Sequence, residues 1–244
     1  MEEFVETLGN GISLVCSKTH GFGTDAILLA NFAAPKVTDK CCDLGTGCGI
    51  IPFIWLRDGV KDIVGMDIQE LAIEQFGKSL DLNGNPAGIS AVLGDLREID
   101  KYFKGSLGTF DVVSMNPPYK IAGSGILSQA TPDQIARHEI TCNVDDACKA
   151  AGRLLNFGGR FLMCHRPERL ADVITAMRAY DIEPKKLRFV QKRPDTAPWL
   201  FLIEGKRGAK PFLEVLPPLY IENENGENSE ELDRILGEYK KGSG

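Results

Sequence analysis

At 244 residues and 43% hydrophobic, the chain is long enough to bury a full core as one domain with small additions. A net charge of −6 at pH 7 excludes a general attraction to nucleic acid, so any such partner must be met by a local basic face. Seven cysteines are an odd number without the C-x-x-C spacing of a metal or redox site, and no apolar stretch is long enough to span a bilayer.

The acidic start, Met1-Glu2-Glu3-Phe4, lacks the basic-then-apolar pattern of a secretory leader, so the expected setting is reducing and cytoplasmic. Residues 4–16 alternate around Gly9-Asn10-Gly11 and read as a hairpin. After Gly21-Phe22-Gly23, Thr24 or Asp25 is placed as the N-cap of an apolar helix, and the same two residues are candidates to line a ligand mouth. From Lys40 onward, apolar strands alternate with amphipathic helices. Strands are expected at 41–44, 62–66, 89–93, 110–115 and 160–164, and helices at 50–56, 71–82, 144–155 and 167–180. That alternation predicts a parallel sheet covered on both faces. Two further strands are expected at 186–190 and 200–204. The polar segment 120–137 reads as a binding loop or lid, with disorder as the rival reading. Residues 222–244 are acidic and poor in apolar side chains, so a loosely held, partly disordered tail with a short helix near 230–236 is expected. The division is thus 1–34 as hairpin and capping helix, 35–221 as the main domain, and 222–244 as tail.

The chemistry gathers at strand ends. Asp43-Leu44-Gly45-Thr46-Gly47-Cys48-Gly49 joins a strand to a helix, and its glycines let a ligand approach the backbone amides closely. The spacing is G-x-G-x-G rather than the dinucleotide G-x-G-x-x-G, and Asp43 would repel a pyrophosphate. A cationic ligand fits instead, such as a sulfonium methyl donor bearing an amino group. Asp67, followed by Ile68, can accept the two hydroxyls of a ribose, and Asp95, followed by Leu96, can receive an adenine amino group. At the next strand end, Asn116-Pro117-Pro118-Tyr119 is a proline-stiffened turn. It presents the Asn116 amide and the Pro117 carbonyl as acceptors beside the Tyr119 ring. That set suits a flat group carrying NH2.

With these residues in place, the chain resembles the class I S-adenosylmethionine-dependent methyltransferases, and more narrowly the bacterial valine-tRNA adenine-N6 methyltransferases. The likeness runs from Gly9 to about Tyr220. It rests on the glycine turn, Asp67, Gly94-Asp95, Asn116-Pro117-Pro118-Tyr119, and the less widespread Phe22-Gly23-Thr24-Asp25-Ala26. It implies an α/β, Rossmann-like sheet of seven mostly parallel strands with the last antiparallel, and S-adenosyl-L-methionine as cofactor. It also implies an adenine N6 amine in RNA, specifically tRNA, as methyl acceptor. The catalytic set is then Asn116, Pro117, Pro118 and Tyr119. Cofactor contacts come from Thr24, Asp25, Asp43, Gly45, Thr46, Gly47, Cys48, Gly49, Asp67, Ile68, Asp95, Leu96 and Asn116. Arg137, His138, Arg166 and Lys192 are expected at the substrate, with no metal.

Lys185, Lys186, Arg188, Lys192, Arg193, Lys206, Arg207 and Lys210 crowd the last two strands with only Asp195 and Glu204 against them, which reads either as a solvated face or as an RNA footprint whose binding would depend strongly on salt. Pro194-Asp195-Thr196-Ala197-Pro198 is a departure, since the family leads one to expect more basic residues there. Two other functions remain in play. A glutamine amide in a release factor is also a planar NH2, although enzymes of that kind carry a helical domain ahead of the fold. A donor-binding module without catalysis need not keep Asn116 and Tyr119.

Overall fold

In the computed structural model, which describes residues 2–18, 21–117 and 143–240, the first alternating segment forms a two-stranded antiparallel hairpin, β1 (Glu3–Gly9) and β2 (Ile12–Ser17). Gly9, Asn10 and Gly11 all take positive φ at its turn. Helix α1 (Thr24–Ala33) follows. Its N-cap is Gly23, and no side chain caps it, so the N-cap expected at Thr24 or Asp25 falls one residue earlier.

The central sheet has nine strands in the order β10-β8-β9-β7-β6-β3-β4-β5, with β11 also paired to β8. Seven of them are five residues or longer: β3 (Lys40–Leu44), β4 (Asp62–Asp67), β5 (Ile89–Leu93), β6 (Phe110–Met115), β7 (Leu155–His165), β8 (Ile182–Gln191) and β9 (Leu200–Arg207). The other two, β10 (Glu214–Val215) and β11 (Leu219–Tyr220), are two-residue additions on β8, too short to leave a periodic signal in the sequence. β9 is antiparallel to both β7 and β8, and every other pairing in the sheet is parallel.

Alternation along the strands sends side chains into two cores. Cys41, Val112, Leu162 and Cys164 face the side covered by the hairpin, α1, α2 (Ile50–Arg57), α3 (Glu70–Leu82) and α7 (Glu230–Leu236). Cys42, Val113, Phe161 and Met163 face the side covered by α4 (Ile99–Tyr102), α5 (Val144–Leu154) and α6 (Leu170–Ala179). No helix among the described residues is long and apolar enough to cross a membrane.

β7 begins at Leu155, directly after α5, instead of at the expected Arg160. The register against β6 slips between Phe110 and Val112, and Gly158 at φ 83° with the close approach of Gly159 to the Phe110 carbonyl absorbs the extra residues. The tail helix α7 is capped by Ser229 and buries Leu232, Ile235 and Leu236 in the first core. It is seated more firmly than the acidic composition of its segment suggests.

Candidate active site

The strand order reverses between β6 and β3, so the loops leaving their carboxyl ends part and open a crevice there. The crevice is a cavity of about 460 Å³ at the ends of β3, β4, β5 and β6, with the start of α1 as its remaining wall.

From β3 comes the glycine turn. Gly45, Gly47 and Gly49 have φ of 66°, 55° and 91°, the left-handed region that excludes most side chains. The three glycines do different work. A Cβ on Gly47 would stand in open space in the cavity wall, whereas a Cβ on Gly49 would come within 2.5 Å of the Phe76 ring. Gly49 therefore lets α2 pack against α3, and it is not among the lining residues.

Asp43 lies one residue before the end of β3 and is 1% exposed. Its register partner on β6 is Ser114, whose hydroxyl donates to Asp43 Oδ1 at 2.5 Å. Burial raises the Asp43 carboxyl to about 7, against the hydrogen bonds that favour its charge, and the nearby Asp67 carboxylate adds to the rise. The Thr46 hydroxyl faces Asp43 short of full hydrogen-bond geometry and is otherwise buried without a partner among the described residues. A buried acid poised near neutrality and an unpaired hydroxyl beside it are a place made for a polar cation.

Asp67 ends β4 and is held by two backbone amides: Gly47 N–H donates to Oδ2 at 2.8 Å and Gln69 N–H to Oδ1 at 2.9 Å. Each oxygen keeps a lone pair, which leaves the carboxylate fixed and able to accept a diol. Asp95 caps the turn after β5 through Arg97 N–H at 2.9 Å, and the Arg97 guanidinium holds its carboxyl below the usual range. Ile68, 52% exposed, and Leu96 supply apolar surface at the same rim.

At the end of β6, Asn116 and Pro117 line the cavity. Asn116 Nδ2 donates to Asp25 Oδ2 at 3.2 Å, and Asn116 Oδ1 accepts from Cys164 Sγ at 3.0 Å. Pro118, Tyr119, Arg137 and His138 lie outside the described residues, as does segment 120–137.

The structure thus brings Asp25, Asp43, Gly45, Thr46, Gly47, Cys48, Asp67, Ile68, Asp95, Leu96, Asn116 and Pro117 around one cavity. Thr24 is exposed and outside it, because α1 starts there and turns its side chain elsewhere. Arg166 follows β7, and its Nη1 is buried without a partner among the described residues. Lys192, just past β8, is exposed and paired with Glu222 at 3.0 Å. Sequence reasoning passed over Ile50, Ile51, Met66, Gln69 and Met115, which line the cavity, and Cys164, which touches Asn116. The first five sit inside apolar runs or next to a stronger motif. Cys164 becomes visible only once β7 is known to lie beside β6.

Comparison with known proteins was consistent with this geometry. The methyltransferase small domain family model matches residues 14–180. The tRNA1(Val) (adenine(37)-N6)-methyltransferase of Bacteroides thetaiotaomicron is 29% identical over 187 residues, 74% of each chain. Its namesake in Parabacteroides distasonis is 26% identical over 182 residues, 75% of each chain. A protein named as an N5-glutamine methyltransferase, from Methanocaldococcus jannaschii, is 33% identical over 95 residues, covering 39% of this chain and 44% of its own. Among solved structures, a predicted O-methyltransferase from Agrobacterium tumefaciens superposes with a TM-score of 0.68 at 20% identity, over 87% of this chain and 95% of its own. The geranyl diphosphate C-methyltransferase of Streptomyces coelicolor gives 0.54 at 11%, over 75% and 77%. These two speak to the fold alone. A family match over two thirds of the sequence, centred on the crevice, places this chain in the methyltransferase small domain family.

Proposed function

We propose that the protein transfers a methyl group from S-adenosyl-L-methionine to the exocyclic N6 amine of an adenine in tRNA, in the cytoplasm. The observation that carries this reading is the Asn116 amide at the mouth of the crevice, oriented by hydrogen bonds on both sides and followed by Pro117. The names of the bacterial relatives, which match about three quarters of the chain, support the choice of adenine in tRNA.

The residues present fit the cofactor. Asp43 and the unpaired Thr46 hydroxyl suit the charged amino acid end, the open face of Gly47 admits close approach, and Asp67 suits the ribose. Ile68 and Leu96 offer apolar faces to a purine, with Asp95 at its edge. When bound, S-adenosylmethionine supplies an electrophilic methyl group on a sulfonium.

The protein's own task is to make a poor nucleophile reactive, because the lone pair of an adenine amine is delocalised into the ring. Asn116 Oδ1 and the Pro117 carbonyl accept its two N–H groups, favour pyramidal nitrogen and return the lone pair to it. These acceptors meet more positive charge in the transition state than in the ground state, so they lower the barrier. Tyr119 is assigned to stack on the base and fix its plane. No general base is required before attack, since the proton leaves once nitrogen is cationic. A base in folded RNA reaches such a crevice most easily from a loop.

The test combines product and residue. Incubation with radiolabelled donor and, separately, tRNA, ribosomal RNA, DNA and release factor is expected to label only tRNA, as N6-methyladenosine. Asn116→Ala should keep donor affinity and lose turnover by roughly 100- to 1,000-fold. Label on a protein glutamine would overturn the acceptor, and full turnover in Asn116→Ala would overturn the mechanism.

A further inference from the structure

An asparagine amide can sit in two orientations that differ only in which end is oxygen, and only one of them presents an acceptor where the reaction needs it. We infer that Asp25 and Cys164 are positioning residues that hold the Asn116 amide in one orientation; this rests on the reading of Asn116 as the acceptor for the substrate amine.

The geometry is that of a clamp. The Asp25 carboxylate accepts from Asn116 Nδ2 at 3.2 Å, and the Cys164 thiol donates to Asn116 Oδ1 at 3.0 Å. A flipped amide would set its oxygen against the Asp25 carboxylate, which only accepts, and would exchange the thiol's hydrogen bond to oxygen for a weak N–H···S contact, so Asp25 carries most of the preference and Cys164 adds to it. Asn116 Oδ1 keeps a second lone pair for the substrate.

Three separate elements meet to build this contact. Cys164 is on β7, where Met115 pairs with Met163, so the next residues on the two strands are neighbours. Strand alternation turns Cys164 toward the core that α1 covers. Asp25 comes from the first turn of α1 and gives the helix no cap, which falls to Gly23. Gly23 is part of the device: a Cβ there would overlap Asp25 Oδ1, although its φ of −106° suits any residue. Glycine at that position leaves room for the carboxylate as it stands, and a side chain there would make its outer end swing away. Asp25 also lines the cavity, so direct contact with the donor is the competing role.

The full-length enzyme discriminates the two through turnover with tRNA, calorimetric affinity for S-adenosylhomocysteine, and a double-mutant cycle. Asp25→Ala is expected to lower kcat roughly 10- to 100-fold, as a small misplacement of a catalytic group does. Its affinity for S-adenosylhomocysteine should stay within about twofold of the parent. Gly23→Ala, which displaces the carboxylate without removing it, should do the same. Cys164→Ala should lower kcat, and Cys164→Ser, which restores a donor, should recover most of the loss. In an Asn116→Ala background, Asp25→Ala should cost nothing further. If Asp25→Ala instead weakens S-adenosylhomocysteine and adds its full effect to Asn116→Ala, Asp25 is a donor contact and the inference fails. It fails as well if Asn116→Ala is inactive while Asp25→Ala and both Cys164 variants turn over normally. Normal turnover in Asn116→Ala sinks the underlying reading of Asn116 itself.

Discussion

Asp43 shows how a single side chain can be held at a cost to the fold for the sake of a ligand. Burial lifts its carboxyl from 3.8 to about 7, so between those values the folded protein keeps a proton that the unfolded chain has released. The associated stability is fully present below about pH 4 and is lost as pH rises to 7, above which the fold carries an unpaid buried charge. Asp43→Asn, which keeps a hydrogen-bonding group for Ser114, should therefore melt higher than the parent at pH 8.5 and approach it at pH 5. The distance between 3.8 and about 7 sets an upper limit of roughly 4 kcal/mol on the gain. A cationic donor draws the carboxyl back toward its charged form, so donor affinity of the parent should strengthen from pH 6 to 7.5. The Asn variant should bind weakly and show no such slope. Melts at the two pH values with calorimetry alongside check both halves; a destabilised variant at pH 8.5 would mean that Asp43 is held charged by partners stronger than its burial. Asp43 was legible in the sequence because it stands in a fixed relation to three glycines. Asp25 was legible as a site residue, but its partner was not: the 91 positions separating it from Asn116 are closed only by the packing of α1 on the sheet.

At the scale of elements, most strands and helices followed from alternation and 3.6-residue periodicity, and the places where these failed have local causes. β7 starts early because Leu155, which ends α5, is already extended and pairs with Phe110, while Gly158 and Gly159 take up the slip in register that follows, and periodicity carries no mark of either. The glycine turn was legible as a unit, but the separate duties of its glycines were not, since Phe76 reaches Gly49 from a helix twenty-seven residues on. Gly47→Ala and Gly49→Ala should consequently part company. At Gly47 the added methyl enters open space, so stability should fall only by the left-handed backbone cost, roughly 1–2 kcal/mol. Donor affinity at that position should fall by tenfold or more, about 1.4 kcal/mol. At Gly49 the same backbone cost joins a methyl driven into Phe76 and Phe53, so the loss should reach roughly 2–5 kcal/mol. Urea midpoints separate the two, and equal losses would show that Gly47 is held for the fold rather than for the ligand.

The charge map belongs to the molecule as a whole, and it is where a count along the sequence misleads most. The basic cluster has more acids against it than local sequence shows. The tail brings Glu231 to Arg188 at 2.8 Å and Glu222 to Lys192 at 3.0 Å, while Glu204 meets Lys186 at 3.6 Å. Strand direction then divides the cluster. β8 runs parallel to β7, so Lys192 and Arg193 leave it at the edge that carries the crevice. Lys185 and Lys186 lie toward its other end, about 20 Å away at roughly 3.3 Å per residue. β9 is antiparallel and delivers Lys206, Arg207 and Lys210 to that far edge as well. RNA bound with a base in the crevice meets the near edge first, where the part-exposed Arg166 follows β7 with its Nη2 3.4 Å from Glu168. Removing Arg166 should weaken tRNA binding at every salt concentration and reduce the slope of log affinity against log salt by about one. Removing Lys185, Lys206 and Lys210 together should change neither, although it subtracts three charges from the same region of sequence. Binding measured across a potassium chloride series tests both. If the triple variant flattens the slope and Arg166→Ala does not, the RNA crosses the far edge of the sheet, and its reactive base reaches Asn116 by a route other than the near edge.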